Sequence, residues 1–179
     1  MSLHLPNTPV IETDRLTLRA FAAQDVATSQ PFLTSERSKY MGGPYAPDAA
    51  WEHACSLIGH WAVHGFGLFS FCLKGTDTAI GDVGPFFPYG WPEHELGWGI
   101  WDAAHEGNGY AEEAAIAARA HAYGTLGWTT AVSYIDPDNA PSIALAKRLG
   151  CTLDKAAPLP QLPDWDGTLV YRHPSPEAL

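Results

Sequence analysis

The string in this chain that most clearly suggests chemistry is Gly107-Asn108-Gly109, which separates a strand-patterned segment from an alanine-rich one. A helix starting at Tyr110 would present unpaired N–H groups and about half a positive charge at that end. Glycines let the main chain approach a phosphate closely. The string therefore reads either as a tight turn or as an anion cradle. Two other phosphate-binding patterns fail. A Walker loop needs a G-K-[ST] ending, which the chain lacks. A dinucleotide fingerprint needs a third glycine where Glu112 stands, and Asp136 comes too late and precedes Pro137. His53, His60 and His64 recur along one helical stripe. Metal binding needs convergent ligands with supporting partners, so the stripe reads as a half-exposed face and no metal is expected.

The elements that must position these residues follow from periodicity and breakers. Val10–Ala20 alternates as a strand, with Leu16 and Leu18 on one side. Asp25–Met41 is helical in pieces. Pro47 and Asp48 open a helix that carries Trp51, Ala54, Ile58, Trp61 and Ala62 and stops at His64-Gly65. Phe66–Lys74 and Ala79–Phe87 form a hairpin around Gly75-Thr76-Asp77. His94–Trp101 is a strand whose Gly97 and Gly99 are costly there and point to a bulge or a close approach. A helix over Tyr110–Tyr123, a strand over Thr129–Ile135 and a helix from Asn139 to Gly150 follow. Thr152–Leu153 and Thr168–Arg172 are last strands around a Pro-rich loop. The Pro174–Leu179 tail is expected to fray. This order describes an α/β (α+β) chain, a mixed sheet with helices on both faces.

At 179 residues the chain is read as a single domain, 1–179, with its core over about 10–173. Hydrophobic residues are 46% and charged residues 17%, which excludes a disordered or coiled-coil chain. The net charge of −10, with no Lys/Arg cluster, argues against nucleic acid or an anionic membrane as partner. Cys55, Cys72 and Cys151 are odd in number and widely spaced, as in a reducing compartment. Met1–Pro9 has no signal-peptide pattern, so a cytoplasmic location is expected. An exposed strand edge makes a homodimer possible.

Four segments resemble, in order, the GNAT N-acetyltransferase superfamily. Glu12-Thr13-Asp14-Arg15-Leu16-Thr17-Leu18-Arg19 is similar to the opening strand of its RimJ/RimL-type branch, the ribosomal-protein alanine N-acetyltransferases. Glu95-Leu96-Gly97-Trp98 resembles the E-[IL]-G-[YW] strand of that branch. Glu106-Gly107-Asn108-Gly109-Tyr110-Ala111 resembles the family's [QR]-x-x-G-x-[GA] pyrophosphate loop, running on into Glu112-Glu113-Ala114. Asn139-Ala140-Pro141-Ser142, closed by Leu149-Gly150, resembles its N-x-x-S helix.

The resemblance implies acetyl transfer from acetyl-CoA, as co-substrate, to a primary amine, either a protein N-terminus or a small-molecule amine. It implies cofactor contacts from Trp98, Ile100, Gly107, Asn108, Gly109, Tyr110, Ala111, Asn139 and Ser142. Glu95 is the candidate base, directly or through one water. Gly97 and Gly99 are the expected bulge formers that free a backbone donor for the oxyanion. Ser142 is the candidate hydrogen-bond donor to the departing thiolate. Each has a plainer alternative: Glu95 as a solvated strand residue, Asn139 as a helix N-cap, Ser142 as part of a first turn. Three positions depart from the family pattern: Glu106 where Gln or Arg is usual, Cys151 where Phe is usual, and Ala146 where many members carry a tyrosine acid. Ala146 and Glu106 motivate the alternative of a non-catalytic acyl-CoA-binding sensor or scaffold, while Cys151 reads as a smaller core plug.

Overall fold

The computed structural model describes residues 8–161, 165 and 167–179. The N-terminal segment read for a leader, and part of the Pro-rich loop, lie outside the described residues. The expected strand Val10–Ala20 is in fact two, β1 (Ile11–Glu12) and β2 (Leu16–Ala20), paired antiparallel. Thr13 turns the chain between them. Its amide donates to Leu16 O at 2.9 Å, and its hydroxyl accepts from Leu16 N at 3.0 Å.

Helix α1 (Ala23–Leu33) leads into a 3-10 turn over Glu36–Met41. Helix α2 (Pro47–His64) begins with its proline in the first turn, where the missing N–H costs nothing, and stops at Gly65. Its buried stripe is Ala50, Ala54, Leu57 and Trp61, while Trp51 and Ala62 face solvent. Strands β3 (Phe69–Leu73), β4 (Ala79–Phe86) and β5 (Glu95–Ile100) follow, then α3 (Tyr110–Gly124), β6 (Val132–Ile135), α4 (Ala140–Arg148), β7 (Thr152–Leu153) and β8 (Leu169–Arg172). The tail does not simply fray. It makes a 3-10 turn over Pro176–Ala178, and the Tyr123 hydroxyl donates to Pro174 O at 2.9 Å.

The strands form one sheet in the order β1-β2-β3-β4-β5-β6-β8-β7, with β5–β6 as its parallel pair. Alternation along β3 assigns the two faces. Phe69 and Phe71 pack with Leu16, Leu18, Ala114 and Ala118, on the side of α3 and α4. Leu68 and Cys72 pack with Phe32, Ala54 and Leu57, on the side of α1 and α2.

Strands β5 and β6 share one bridged pair, Glu95 with Val132, and then diverge. The gap is held by side chains. The Ser133 hydroxyl donates to Leu96 O at 2.6 Å, and His173 Nε2 lies 3.0 Å from that hydroxyl. Arg119 Nη1 lies 3.3 Å from His173 Nδ1 and donates to Leu149 O at 2.7 Å. Arginine only donates, so Nδ1 is the acceptor and Nε2 carries the proton. Burial, with Arg119 adding to it, lowers His173 to about 3, and the imidazole stays neutral.

Gly97 and Gly99 do not form the expected bulge. The β4–β5 register runs without a shift from Gly81 opposite Ile100 to Phe86 opposite Glu95. The irregularity lies between Phe71 and Cys72, in the β3–β4 pairing. Gly99 answers instead to a close approach: a Cβ there would lie 2.8 Å from Asp82 Oδ1.

Candidate active site

The Gly107–Gly109 loop is held in place by the chain's first strands. Arg15 Nη1 donates to Asn108 O at 3.0 Å, while its Nε and its amide donate to the Glu113 carboxylate at 2.6 and 2.8 Å. Thr13 donates to the same carboxylate at 2.6 Å. Two sequence segments nearly a hundred residues apart are thus one ionic clasp. Gly109 is the N-cap residue of α3, left-handed at φ 77°, with no side-chain cap on the helix. The first intrahelical bond is Glu113 N to Gly109 O at 3.1 Å. The amides of Tyr110, Ala111 and Glu112 precede it and need partners from outside the helix. They border a cleft of about 800 Å³ lined also by Gly107, Gly109, Ile100, Trp98, Asn139 and Ser142. Asn108 is not part of this lining; its amide turns back to Glu106 O at 3.1 Å. The unusual Glu106 is paired with Arg37, whose guanidinium also caps the Ile100 and Trp101 carbonyls.

A second cleft, of about 650 Å³, meets the first at Trp98, Asn139 and Ser142 and runs along β5 to Glu95. Glu95 stands in it. Its carboxylate accepts the Trp91 indole N–H at 2.7 Å and the Tyr134 amide at 3.4 Å. Burial raises Glu95 to about 7 against the pull of those two donors. Trp91, Tyr134 and Trp165 stack edge to face around it, which keeps that end apolar. At the junction, Ser142 Oγ accepts from Trp98 Nε1 at 3.3 Å, and Asn139 Oδ1 caps Ser142 N at 3.3 Å. Asn139 is therefore an N-cap and a cleft wall at once. Ala146 lies on the buried face of α4 and offers no hydroxyl there.

The two clefts thus meet, with uncapped helix amides bordering one and a buried carboxyl group in the other. An acetyltransferase (GNAT) domain model matches residues 15–152 of the chain. The chain belongs to the GNAT acetyltransferase family. This GNAT enzyme is 40% identical to an acetyltransferase from Agrobacterium tumefaciens str. C58, over 96% of this chain and 97% of that one, with a TM-score of 0.85. It shares its fold with a putative ribosomal-protein-serine acetyltransferase from Vibrio cholerae, at 24% identity over 96% of this chain and 100% of that one, with a TM-score of 0.73. It also shares it with the aminoglycoside acetyltransferase AAC(6')-Ib in complex with coenzyme A, at 18% identity over 91% and 96%, with a TM-score of 0.73.

GNAT acetyltransferases use acetyl-CoA. Sequence reading brought Glu95, Trp98, Asn139 and Ser142 to one place. It did not reach Arg37, Tyr134 and Asp82. No local signal marks Arg37 or Asp82, because a helical-turn arginine and a strand aspartate are ordinary. Trp91 sits four residues before Glu95 in a Pro-rich loop, and an indole N–H so close to a candidate base was a readable hint. The three helix histidines do not converge on one point. His53 stacks on Tyr45, while His60 and His64 pack on Phe66. No described helix is long and apolar enough to cross a membrane.

Proposed function

We propose that this GNAT enzyme transfers the acetyl group of acetyl-CoA to a primary amine, a protein N-terminus or a small amine, by direct attack on the thioester. The observation that carries the reading is Glu95, a carboxylate raised to about 7 by burial in the cleft that meets the glycine-loop cleft. A base with that affinity takes a proton from an α-amino group of pKa near ~8 at little cost near neutrality.

The α3 amides of Tyr110 and Ala111, with the loop at Gly107 and Gly109, hold the diphosphate. The divergence of β5 and β6 admits the pantetheine arm beside Trp98 and Asn139. Glu95 accepts the ammonium proton, directly or through one water. The freed amine forms the C–N bond at the acetyl carbon as the carbonyl electrons move to oxygen. Strand alternation turns the Leu96 carbonyl toward β6, and with it the Trp98 amide two residues on, which serves as oxyanion donor. When the oxyanion electrons return and the C–S bond breaks, a remaining proton of the cationic nitrogen passes to the departing sulfur, so the amide is neutral and CoA leaves as the thiol. Ser142 offers its hydroxyl proton in a hydrogen bond to that sulfur, because its oxygen is already held by the Trp98 indole. Most of the rate gain comes from aligning two substrates at the junction. The four ordered sequence segments support a RimJ/RimL-type acceptor, an exposed amino terminus.

The test is free-thiol release from acetyl-CoA with a panel of peptide N-termini and small amines. Turnover above background on one acceptor is expected, and Glu95→Gln lowers its kcat/KM by about 10²-fold. CoA binding with no turnover on any amine would instead support a non-catalytic acyl-CoA sensor.

A further inference from the structure

Among the described residues two buried side-chain oxygens have no hydrogen-bond partner, Asp82 Oδ1 and Tyr134 Oη. Both residues line the cleft that contains Glu95. Unpartnered buried polar atoms are rare and each calls for an explanation; in a substrate cleft a ligand can supply the missing partner. Asp82 is only 3% exposed. Its carboxyl receives the Trp101 indole N–H, but Oδ1 is left without a donor.

Asp82 and Glu95 share a face of the sheet. Asp82 is opposite Gly99, and Phe86 is opposite Glu95. Residues two apart on a strand point the same way, so Asp82 and Phe86 line up with Gly99, Gly97 and Glu95. The two glycines leave the floor between the carboxyl groups free of side chains. Gly99 lies four residue steps along the strand from Glu95, about 13 Å. Met41 roofs the Asp82 end: its sulfur lies 3.4 Å from where a Gly99 Cβ would be. Its unbranched thioether can yield to an incoming group. Lys39 is the one Lys or Arg among the described residues lining this cleft, against Asp82, Glu95 and Asp136, and its ammonium lies over the Tyr40 ring.

Resting on the acetyltransferase reading, we infer that Asp82 is a second anchor that selects acceptors bearing a second cationic nitrogen, on the order of 10 Å from the amine that reacts at Glu95. Monoamines leave Asp82 Oδ1 unpaired, whereas a second ammonium group completes it with a charge-assisted hydrogen bond. That nitrogen can belong to a small α,ω-diamine or to a Lys or Arg side chain close behind a peptide N-terminus. Burial, followed by the neighbouring Asp25 charge, raises Asp82 to about 7 against the pull of the Trp101 indole, so a cation also draws it into the ionised form.

The experiment is calorimetric titration of the protein, with and without saturating CoA, using α,ω-diaminoalkanes against monoamines of equal chain length. A parallel arm uses short peptides with Lys or Met at the second residue. The expected result is at least about tenfold tighter binding of the dication in one arm, which also identifies its source. Asp82→Asn should erase that preference while monoamine and CoA affinities hold. Gly99→Ala, which places a methyl against Oδ1, should reduce it. Equal binding of dications and monocations in both arms overturns the inference, as does an Asp82→Asn loss that is the same for both. If Asp82→Asn does not fold, the wild-type comparison and Gly99→Ala decide. Turnover is measured separately. Failure of every amine to release thiol sinks the acetyltransferase reading, while the binding preference still decides the role of Asp82.

Discussion

At the scale of single residues, the proposed chemistry rests on how one carboxyl group is surrounded. Glu95 on a solvated strand would titrate near 4.5 and be a poor base at neutrality. Burial under Trp91 and beside Tyr134 moves it to about 7. In the proposed mechanism its deprotonated form is the one that acts, so kcat/KM should rise with pH through about 7, and Glu95→Gln should abolish that limb of the profile. A profile unchanged in Glu95→Gln would assign the base elsewhere. Ser142→Ala removes the proposed hydrogen bond to the developing thiolate, and a loss in kcat of about 10-fold is expected. The Trp98 indole should then lose its acceptor as well, so intrinsic tryptophan fluorescence gives a second readout. Sequence reading reached Glu95 and Ser142 by resemblance to a known pattern. It did not reach Asp82, whose importance lies in an unpaired oxygen that only packing reveals.

Elements convert those residues into a site. The amides of α3 are useful because Gly109 takes the left-handed conformation and leaves the helix end uncapped. A side chain there is strained by about 1–2 kcal/mol, and a Cβ would lie 3.4 Å from Arg15 Nη2. Gly109→Ala should therefore raise KM for acetyl-CoA several-fold with kcat nearly unchanged; an unaltered KM would separate the loop from cofactor binding. The other decisive element is the wedge between β5 and β6. Its Ser133 hydroxyl substitutes for a ladder bond, backed by His173 and Arg119. Ser133→Ala leaves the Leu96 carbonyl unpaired inside the protein, a cost of about 1–3 kcal/mol. The melting temperature should fall, and kcat should fall further than this loss of folded protein explains. Glycines in β5 were legible as special, but the reason was not. The strand keeps its register, and the opening comes from the divergence of its neighbour.

For the whole molecule, two buried carboxyl groups raised to about 7 tie stability to pH. The folded chain holds protons on Asp82 and Glu95 that the unfolded chain releases near pH 4. Their stabilising contribution is full below that pH and is lost as pH rises through about 7. Glu95→Gln and Asp82→Asn have no such proton to lose. Relative to wild type, both should gain stability between pH 5 and pH 8, on the order of 1 to a few kcal/mol each. Thermal melts at the two pH values check this, and a pH-independent difference would contradict the two raised affinities. The ion pairs at Arg15–Glu113, Arg37–Glu106 and Arg148–Glu112 are partly exposed and should contribute little by comparison.

The local order of strands and helices, the glycine loop and the polar residues at its flanks were determined by sequence alone, because periodicity, breakers and caps act between near neighbours. The motif residues Thr13, Arg15 and Glu113 were visible too, although their meeting in one clasp was not. Only the tertiary structure decided that β1 and β2 are separate strands, that Arg37 neutralises Glu106, and that Asp82 faces the cleft of Glu95. Those outcomes depend on which distant side chains exclude water from a given charge. No spacing within the chain encodes that until the sheet has brought its faces together.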